Sequence, residues 1–167
     1  GPEGGLTPEL LVRTADSGFL HPVPDALALD VAAFAEPLAV GMHAVEQADV
    51  RPGDRVAVFG CGPIGLAAIA TLLDRGHERV VGIDLSPARL ALAEGLGAQA
   101  ALNPTEVDVW EELARLHGTE PFMFGPTPAT AAFIEASGSG RVITEILDRA
   151  RVGGRMSVVA LHYAPVP

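Results

Sequence analysis

The amino-acid sequence predicts an α/β fold with a doubly wound parallel sheet. Three observations predict it. From about residue 55, short β-branched runs alternate with amphipathic stretches rich in Ala and Leu, Gly and Pro separate these runs, and a glycine-rich turn follows the first of them. Strands that alternate with helices form right-handed β-α-β units. We therefore expect about five strands in the order 3-2-1-4-5.

The individual elements follow this alternation. The predicted strands are residues 55–59, 79–83, 98–102, 131–135 and 155–160. The predicted helices between them are residues 64–75, 87–96, 107–117 and 141–151. Turn residues support the second helix, since Ser86 is placed to cap it, Pro87 to occupy its first turn and Gly97 to end it.

Two segments lie outside the alternating pattern. Residues 1–35 are irregular and rich in Pro and Gly, so we expect them to belong to another domain or a linker. Residues 118–130 form a long connection rich in Pro and aromatic residues, of the kind that is often functional. The main domain is then residues 36–167. Because the chain stops just after the fifth strand, we expect this domain to be truncated at its C-terminus.

The composition argues against two classes of partner. The formal net charge is −10, and all eleven basic residues are Arg, with no cluster that forms a basic stripe. Such a chain lacks the electrostatic footprint of a nucleic-acid-binding protein and is a poor match for an anionic membrane. No apolar stretch reaches the length of a bilayer span, and no signal peptide is visible. We expect a soluble, cytoplasmic protein.

The most informative motif is Gly60-Cys61-Gly62-Pro63-Ile64-Gly65, directly after the first strand and opening a helix. In a dinucleotide site, Gly60 would allow the tight turn, Gly62 would let a pyrophosphate approach the backbone, and Gly65 would let the helix pack on the strand. The free N–H groups of the helix N-terminus would bind the phosphates. The alternative interpretation of the glycines is a plain tight turn between a strand and a helix.

Asp84 strengthens the dinucleotide interpretation. It ends the second strand, nineteen residues after Gly65, where a carboxylate accepts hydrogen bonds from the adenosine ribose. The same carboxylate would repel a 2′-phosphate, so Asp84 favours NAD over NADP. A solvated acid at a strand end is the alternative. Methyltransferases use a related glycine turn, but the Pro63-Ile64-Gly65 ending and the spacing from Asp84 to Arg89 favour a dehydrogenase.

Several further motifs occur in a fixed order along almost the whole chain. With them, the sequence resembles the medium-chain dehydrogenase/reductase superfamily, and within it the zinc-dependent polyol, butanediol and threonine dehydrogenase branch. The motifs are His-Pro-Val-Pro-Asp at 21–25, Glu-Pro-Leu-Ala-Val at 36–40, the run 50–58, the glycine turn, residues 84–90, Leu-Gly-Ala at 96–98, Glu-Ala-Ser-Gly at 135–138 and Val-Gly-Gly-Arg at 152–155.

The resemblance implies a Rossmann-fold NAD-binding domain at 36–167, preceded at 1–35 by the remnant of a catalytic domain and its linker. It implies hydride transfer between NAD and a secondary alcohol or polyol, with a catalytic zinc polarising the oxygen. It also implies a small-molecule substrate and a homo-oligomer in the intact protein. The sequence departs from the family in lacking its Cys and Gly-His-Glu zinc ligands. We therefore expect this chain alone to be inactive.

The resemblance implies roles for residues of the helix that begins near Glu36. Glu36 would contact the zinc or its bound water, although a carboxylate there could equally cap the helix. Val40, one turn later, would touch the nicotinamide ring or serve only in packing. His43 lies on the same helix face as Glu36 and could contact substrate, but packing against a neighbouring domain is the favoured interpretation.

Other candidates lie at the carboxyl edge of the sheet. Arg89 would contact the adenosine ribose or adenine, or else lie on a solvated helix face. Ser137 and Gly138 would border the cofactor, and Ser139 could cap the following helix. The backbone at 159–161 would meet the nicotinamide amide. His162 and Tyr163 have catalytic side-chain types, but nothing in the sequence orients them, and we interpret them as loop residues.

Cys61 is the only cysteine, which excludes an intrachain disulfide and a cysteine zinc knuckle. A thiol at a helix N-terminus can have a lowered pKa and act as a redox sensor, but a small residue that fills the turn is the favoured interpretation. Two alternatives to a dehydrogenase remain open for the whole chain. One is a stand-alone NAD-binding redox-sensing module, and the other is another nucleotide-binding enzyme such as a methyltransferase.

Overall fold

The computed structural model of the protein describes residues 21–122, 125–162 and 166. Tyr163 lies outside the described residues. The chain divides into two compact units, residues 1–34 and 35–167. In the first unit the described residues form the short helix α1 (Leu29–Ala32). All the other described helices and strands belong to the second unit.

The second unit contains a five-stranded parallel sheet. Its strands are β1 (Val56–Phe59), β2 (Val80–Ile83), β3 (Ala100–Leu102), β6 (Ala132–Glu135) and β7 (Arg155–Val158). They lie in the order β3-β2-β1-β6-β7. The predicted order of 3-2-1-4-5 is confirmed, since β6 and β7 are the fourth and fifth strands of this sheet. All residues of β1, β2 and β6 are buried, as expected for a sheet that is covered on both faces.

Five helices accompany the sheet among the described residues of the second unit, and the bounds of the four predicted helices agree with the structure to within two residues. They are α2 (Ala35–Gln47), α3 (Pro63–Asp74), α4 (Pro87–Leu96), α5 (Val109–His117) and α6 (Gly140–Arg149). Alternate residues of β1 face opposite layers. Val56 and Val58 pack in a core with α2, α3 and α4, whereas Ala57 and Phe59 pack in a second core with α5 and α6.

Helix ends show how local chemistry sets the boundaries. Pro87 begins α4, and Gly97 ends it with a φ of 109°, both as predicted. The predicted cap by Ser86 is wrong, because its side chain makes no capping bond. In a cap, the Ser86 hydroxyl oxygen would accept a hydrogen bond from the amide of Arg89. That amide instead donates to the Ser86 carbonyl oxygen at 3.0 Å. Ser139 likewise precedes α6 without a side-chain capping bond.

The segment 118–130 is more regular than predicted. After α5 the chain forms β4 (Thr119–Glu120) and β5 (Thr127–Pro128), which pair antiparallel as a separate two-stranded sheet. A backbone bond of 2.9 Å from the amide of Ala129 to the carbonyl oxygen of Gly118 extends this pairing. These two strands were not predicted, because a strand of two residues is too short to show any alternation of apolar and polar side chains.

Arg155 ties the last strand to the turn before the first. Its guanidinium group lies 2.6 Å from the carboxylate of Asp54 and also donates to the carbonyl oxygen of Asp49. Asp54 in turn accepts a bond of 2.7 Å from the amide of Arg51, which closes that turn. These contacts lie at the amino edge of the sheet, opposite the glycine turn. Among the helices that the structure describes, none has the length and apolar character to cross a membrane.

Candidate cofactor-binding site

Parallel strands bring their carboxyl ends to one edge of the sheet, and ligands of such sheets bind in the crevice outside that edge. In this protein the edge carries the glycine turn after β1, Asp84 after β2 and residues 136–139 after β6. Because β1 lies between β2 and β6, the glycine turn lies between the other two segments. The fold therefore assembles the residues that the sequence singled out.

Close backbone contacts explain two of the three motif glycines. Gly60 has a φ of 93°, and a Cβ there would lie 2.7 Å from backbone atoms of Ala136 and Ser137. A Cβ on Gly65 would lie 1.7 Å from the carbonyl oxygen of Gly60. No side chain fits at either position without moving backbone. These two glycines therefore allow the tight turn and the close approach of α3 to β1.

Gly62 differs from both. It precedes α3 with a φ of −70°, and a Cβ at this position would meet no atom within 4 Å. The space beside Gly62 is open, next to a helix N-terminus whose first amides have no intrahelical acceptor. Pro63, as the first helical residue, has no N–H to leave unpaired, and Ile64 follows it half-buried. This arrangement fits a phosphate group.

The carboxylate of Asp84 is hydrogen-bonded to the backbone of the glycine turn and of the segment after β2. One oxygen of its carboxylate accepts from the amide of Cys61 at 2.7 Å, and the other accepts from the amide of Ser86 at 2.8 Å. The side chain is only 8% exposed. Each carboxylate oxygen can accept more than one hydrogen bond, so Asp84 retains capacity for ribose hydroxyls.

Arg89 lies on the first turns of α4 with its guanidinium group 3.6 Å from the Asp84 carboxylate. Its side chain is 54% exposed, so an ion pair of this kind contributes little to stability. The guanidinium group is therefore free to turn toward a ligand at the same edge.

The last residue of β6, Glu135, carries a carboxyl group for which no role was predicted. Glu135 is fully buried, and its carboxyl group accepts hydrogen bonds from the amides of Ser137 at 2.8 Å and Gly138 at 3.0 Å. Its second oxygen lies 2.9 Å from Nε2 of His162. His162 lies outside any helix or strand, as predicted, but this contact orients its imidazole ring, which the sequence did not indicate. The sequence signals were the position of Glu135 at the end of an otherwise apolar strand and its place in the Glu-Ala-Ser-Gly motif at 135–138.

Cys61 lies inside the glycine turn and is fully buried. Burial and the neighbouring Asp84 carboxylate raise the pKa of its thiol to about 12. A thiol in this state is not a reactive nucleophile at neutral pH, because the thiolate is the reactive form. The structure thus agrees with the favoured interpretation of Cys61 as a small residue that fills the turn.

Comparison with known proteins places the fold and the motifs in a family. Residues 63–167 match the sequence pattern of the zinc-binding dehydrogenases. The chain belongs to the zinc-binding dehydrogenase family. The match begins inside the glycine turn and covers the helices α3 to α6 and the strands β2 to β7.

Individual relatives agree with this placement. The chain is 31% identical to sorbitol dehydrogenase of Bacillus subtilis over 86% of its length, and 33% identical to (R,R)-butanediol dehydrogenase of Neisseria gonorrhoeae over 97%. The crystal structure of 2R,3R-butanediol dehydrogenase from Bacillus subtilis superimposes with a TM-score of 0.72 at 32% identity, over 87% of this chain. The aligned regions span 38%, 43% and 39% of these three proteins. The chain thus spans less than half the length of the relatives it matches.

A zinc site needs several His, Cys, Asp or Glu side chains close together. Among the described residues, no three His, Cys, Asp or Glu side chains lie close enough together to hold a metal ion. Glu36 lies in the first turn of α2, with its side chain exposed and without a hydrogen bond or ion pair to any described residue. The described residues therefore fit the dinucleotide but do not form a zinc site of their own.

The remaining candidates on α2 lie along the same helix. Val40 is half-buried and His43 is exposed. Between them, Gly41 packs so closely on α3 that a Cβ would lie 2.7 Å from Ala67. This contact holds α2 against the helix that begins at the glycine turn.

Proposed function

We propose that this chain binds NAD and forms the cofactor-binding part of a zinc-dependent dehydrogenase. The reaction would transfer a hydride between NAD and a secondary alcohol or polyol. One observation carries the proposal: the open space at Gly62, beside the N-terminus of α3, lies at the same sheet edge as the anchored carboxylate of Asp84. That pair of features matches a pyrophosphate next to a ribose.

The site residues have separate roles in this proposal. Gly60, Gly62 and Gly65 with Pro63 and Ile64 form the turn that receives the pyrophosphate. Asp84 accepts from the adenosine ribose, and Arg89 contacts the same half of the cofactor. Ser137 and Gly138 border the other half, and Val40 packs near the nicotinamide.

The substrate class comes from the relatives. Sorbitol dehydrogenase and butanediol dehydrogenase are named for a polyol and a diol, and a small alcohol of this kind is the proposed substrate. The bound NAD supplies the hydride acceptor, and a zinc ion would polarise the substrate oxygen. Glu36 would face that metal, whose other ligands would come from outside the described residues. A homo-oligomer in the cytoplasm is part of the same proposal, and it rests on the family resemblance.

Calorimetric titration of the chain with NADH, NADPH and S-adenosylmethionine tests the proposal. We expect NADH to bind and NADPH to bind at least about tenfold more weakly, because Asp84 would lie against a 2′-phosphate. Binding of S-adenosylmethionine in preference to NADH would identify a methyltransferase instead. If none of the three binds, the chain does not form a working cofactor site.

A further inference from the structure

Glu135 is unusual for its position. The other residues of β6, from Ala132 to Ile134, are apolar and buried, and β6 lies in the interior of the sheet. Burying a carboxyl group is costly unless its oxygens are hydrogen-bonded. An apolar residue of similar volume would avoid that cost. The carboxyl group therefore needs an explanation beyond packing.

Its hydrogen bonds connect two separate loops. One oxygen accepts from the backbone amides of Ser137 and Gly138 and from the Ser137 hydroxyl. The other oxygen holds Nε2 of His162, in the segment after β7, at 2.9 Å. The His162 side chain is only 14% exposed. A single buried group thus fixes residues 137–138 and residue 162 relative to each other.

The same two loops lie in close contact. A Cβ on Gly138 would lie 3.3 Å from the carbonyl oxygen of Leu161. On its other side, the loop after β6 backs the glycine turn, since a Cβ on Gly60 would lie 2.7 Å from the Ala136 carbonyl. A shift of residues 136–138 would therefore also displace the glycine turn and the segment after β7.

The strand order indicates which part of the cofactor these loops meet. A dinucleotide binds across the crevice with its pyrophosphate at the central glycine turn and its two halves on opposite sides. Asp84, at the end of β2, lies on the adenosine side. Strands β6 and β7 lie on the other side of β1. Their loops would therefore face the nicotinamide half.

Resting on the proposed binding of NAD, we propose that Glu135 is a positioning residue for the nicotinamide half of the cofactor. Its carboxyl group holds the loop at 137–138 and the segment at 161–162 in the arrangement that this half requires. Asp84 and Glu135 then divide the site, since one binds the adenosine half directly and the other shapes the surface for the nicotinamide half.

The test compares NADH with ADP-ribose, which keeps the adenosine and pyrophosphate and lacks nicotinamide. The 167-residue chain and its variants Glu135→Ala, Glu135→Gln and His162→Ala are titrated with both ligands by calorimetry. For Glu135→Ala and His162→Ala we expect the Kd for NADH to rise about tenfold, as a charged hydrogen bond is lost, and the Kd for ADP-ribose to change less than about twofold. Glu135→Gln keeps a carbonyl acceptor for the Ser137 and Gly138 amides, so it should retain more NADH affinity than Glu135→Ala.

Two controls make the result decisive. Glu145→Gln changes a carboxylate on α6 whose one ion pair among the described residues is with Arg141, and it should leave the affinity for both ligands unaffected. Asp84→Ala should weaken both ligands, which tests the proposed NAD site separately. Equal weakening of NADH and ADP-ribose by the Glu135 and His162 variants, or no weakening by either, would overturn the positioning role while the NAD site stands. If Glu135→Ala does not fold, as judged by circular dichroism, His162→Ala decides the question.

Discussion

The carboxylate of Asp84 accepts a hydrogen bond of 2.7 Å from the backbone amide of Cys61, 23 residues earlier in the chain. Cys61 lies in the glycine turn after β1, and Asp84 follows β2. The bond therefore joins the two features from which the cofactor site was predicted. Asp84 has a structural role as well as the proposed role in ribose binding.

Replacement of Asp84 should affect both roles. We expect Asp84→Ala to weaken NADH binding by about 1–3 kcal/mol, because the hydrogen bonds to the ribose are lost. It should also lower the free energy of unfolding by about 1–3 kcal/mol, because the amides of Cys61 and Ser86 lose their acceptor. Calorimetry and urea unfolding measure the two effects. Asp148→Ala, at an exposed acid on α6, is the matched control, and unchanged NADH affinity in Asp84→Ala would remove Asp84 from the site.

Two substitutions in the glycine turn should separate protein stability from NADH binding. Gly65→Ala places a methyl group 1.7 Å from the Gly60 carbonyl oxygen and should cost about 1–3 kcal/mol of stability or more. Gly62→Ala meets no atom within 4 Å and should leave stability within about 0.5 kcal/mol. Its methyl group would instead occupy the space of the pyrophosphate and weaken NADH binding. Thermal unfolding and NADH titration of both variants check this, and a Gly62→Ala variant with native affinity would contradict it.

His117 makes stability depend on pH. Its ring is buried, Nδ1 lies 2.8 Å from the Thr130 hydroxyl, and burial with the nearby charges of Arg55 and Arg79 lowers its pKa to about 4. Well above pH 6.5 the ring is neutral in both folded and unfolded chains and contributes no pH dependence. As the pH falls from 6.5 toward 4, only the unfolded chain takes up the proton, so this group destabilises the fold by about 2 kcal/mol at pH 5.

The contribution of His117 is measured by urea unfolding between pH 7.5 and 4. The double variant His117→Leu/Thr130→Val removes the titrating ring and its hydroxyl partner together, and its stability should fall less steeply over that range. His77→Gln, at a half-buried histidine after α3, is the control variant. Equal slopes in the native chain and the double variant would show that His117 is not the responsible group.

Cys61 should be unreactive in the folded protein. Because its thiol is fully buried and has a pKa raised to about 12, we expect no reaction with an aromatic disulfide reagent at pH 8. One thiol per chain should react after unfolding in guanidinium chloride, since the sequence has one cysteine. Rapid modification without denaturant would instead support a redox-sensing role for the glycine turn.

The sequence predicted features that depend on local chemistry or on general rules of topology. Pro87 and Gly97 set the bounds of α4 to the residue, because one favours the first helical position and the other ends the helix in the left-handed region. The strand order followed from the handedness of β-α-β units. The positions of the glycine turn and Asp84 followed from the same topology.

Other features were beyond the sequence because they depend on contacts made only after folding. The contact between Glu135 and His162 joins residues 27 apart through the carboxyl edge of the sheet. Neither residue belongs to a local pattern that would indicate the other. The Ser86 side chain does not cap α4, because the amide of Arg89 donates to the Ser86 backbone carbonyl oxygen instead of to the side-chain hydroxyl. Such competition between two acceptors is decided by small differences in backbone geometry.

The ion pair between Arg155 and Asp54 spans 101 residues and joins the last strand to the turn before the first. During synthesis on a ribosome, β1, β2 and β3 emerge in succession and can pair early. The opposite side of β1 stays unpaired until β6 has been synthesised. The ion pair of Asp54 with Arg155 forms only after Arg155 has been synthesised. Until those residues leave the ribosome, β1 is an open apolar edge that could pair with another nascent chain. The central position of the first strand therefore leaves one side of β1 unpaired from the synthesis of β3 until the synthesis of β6.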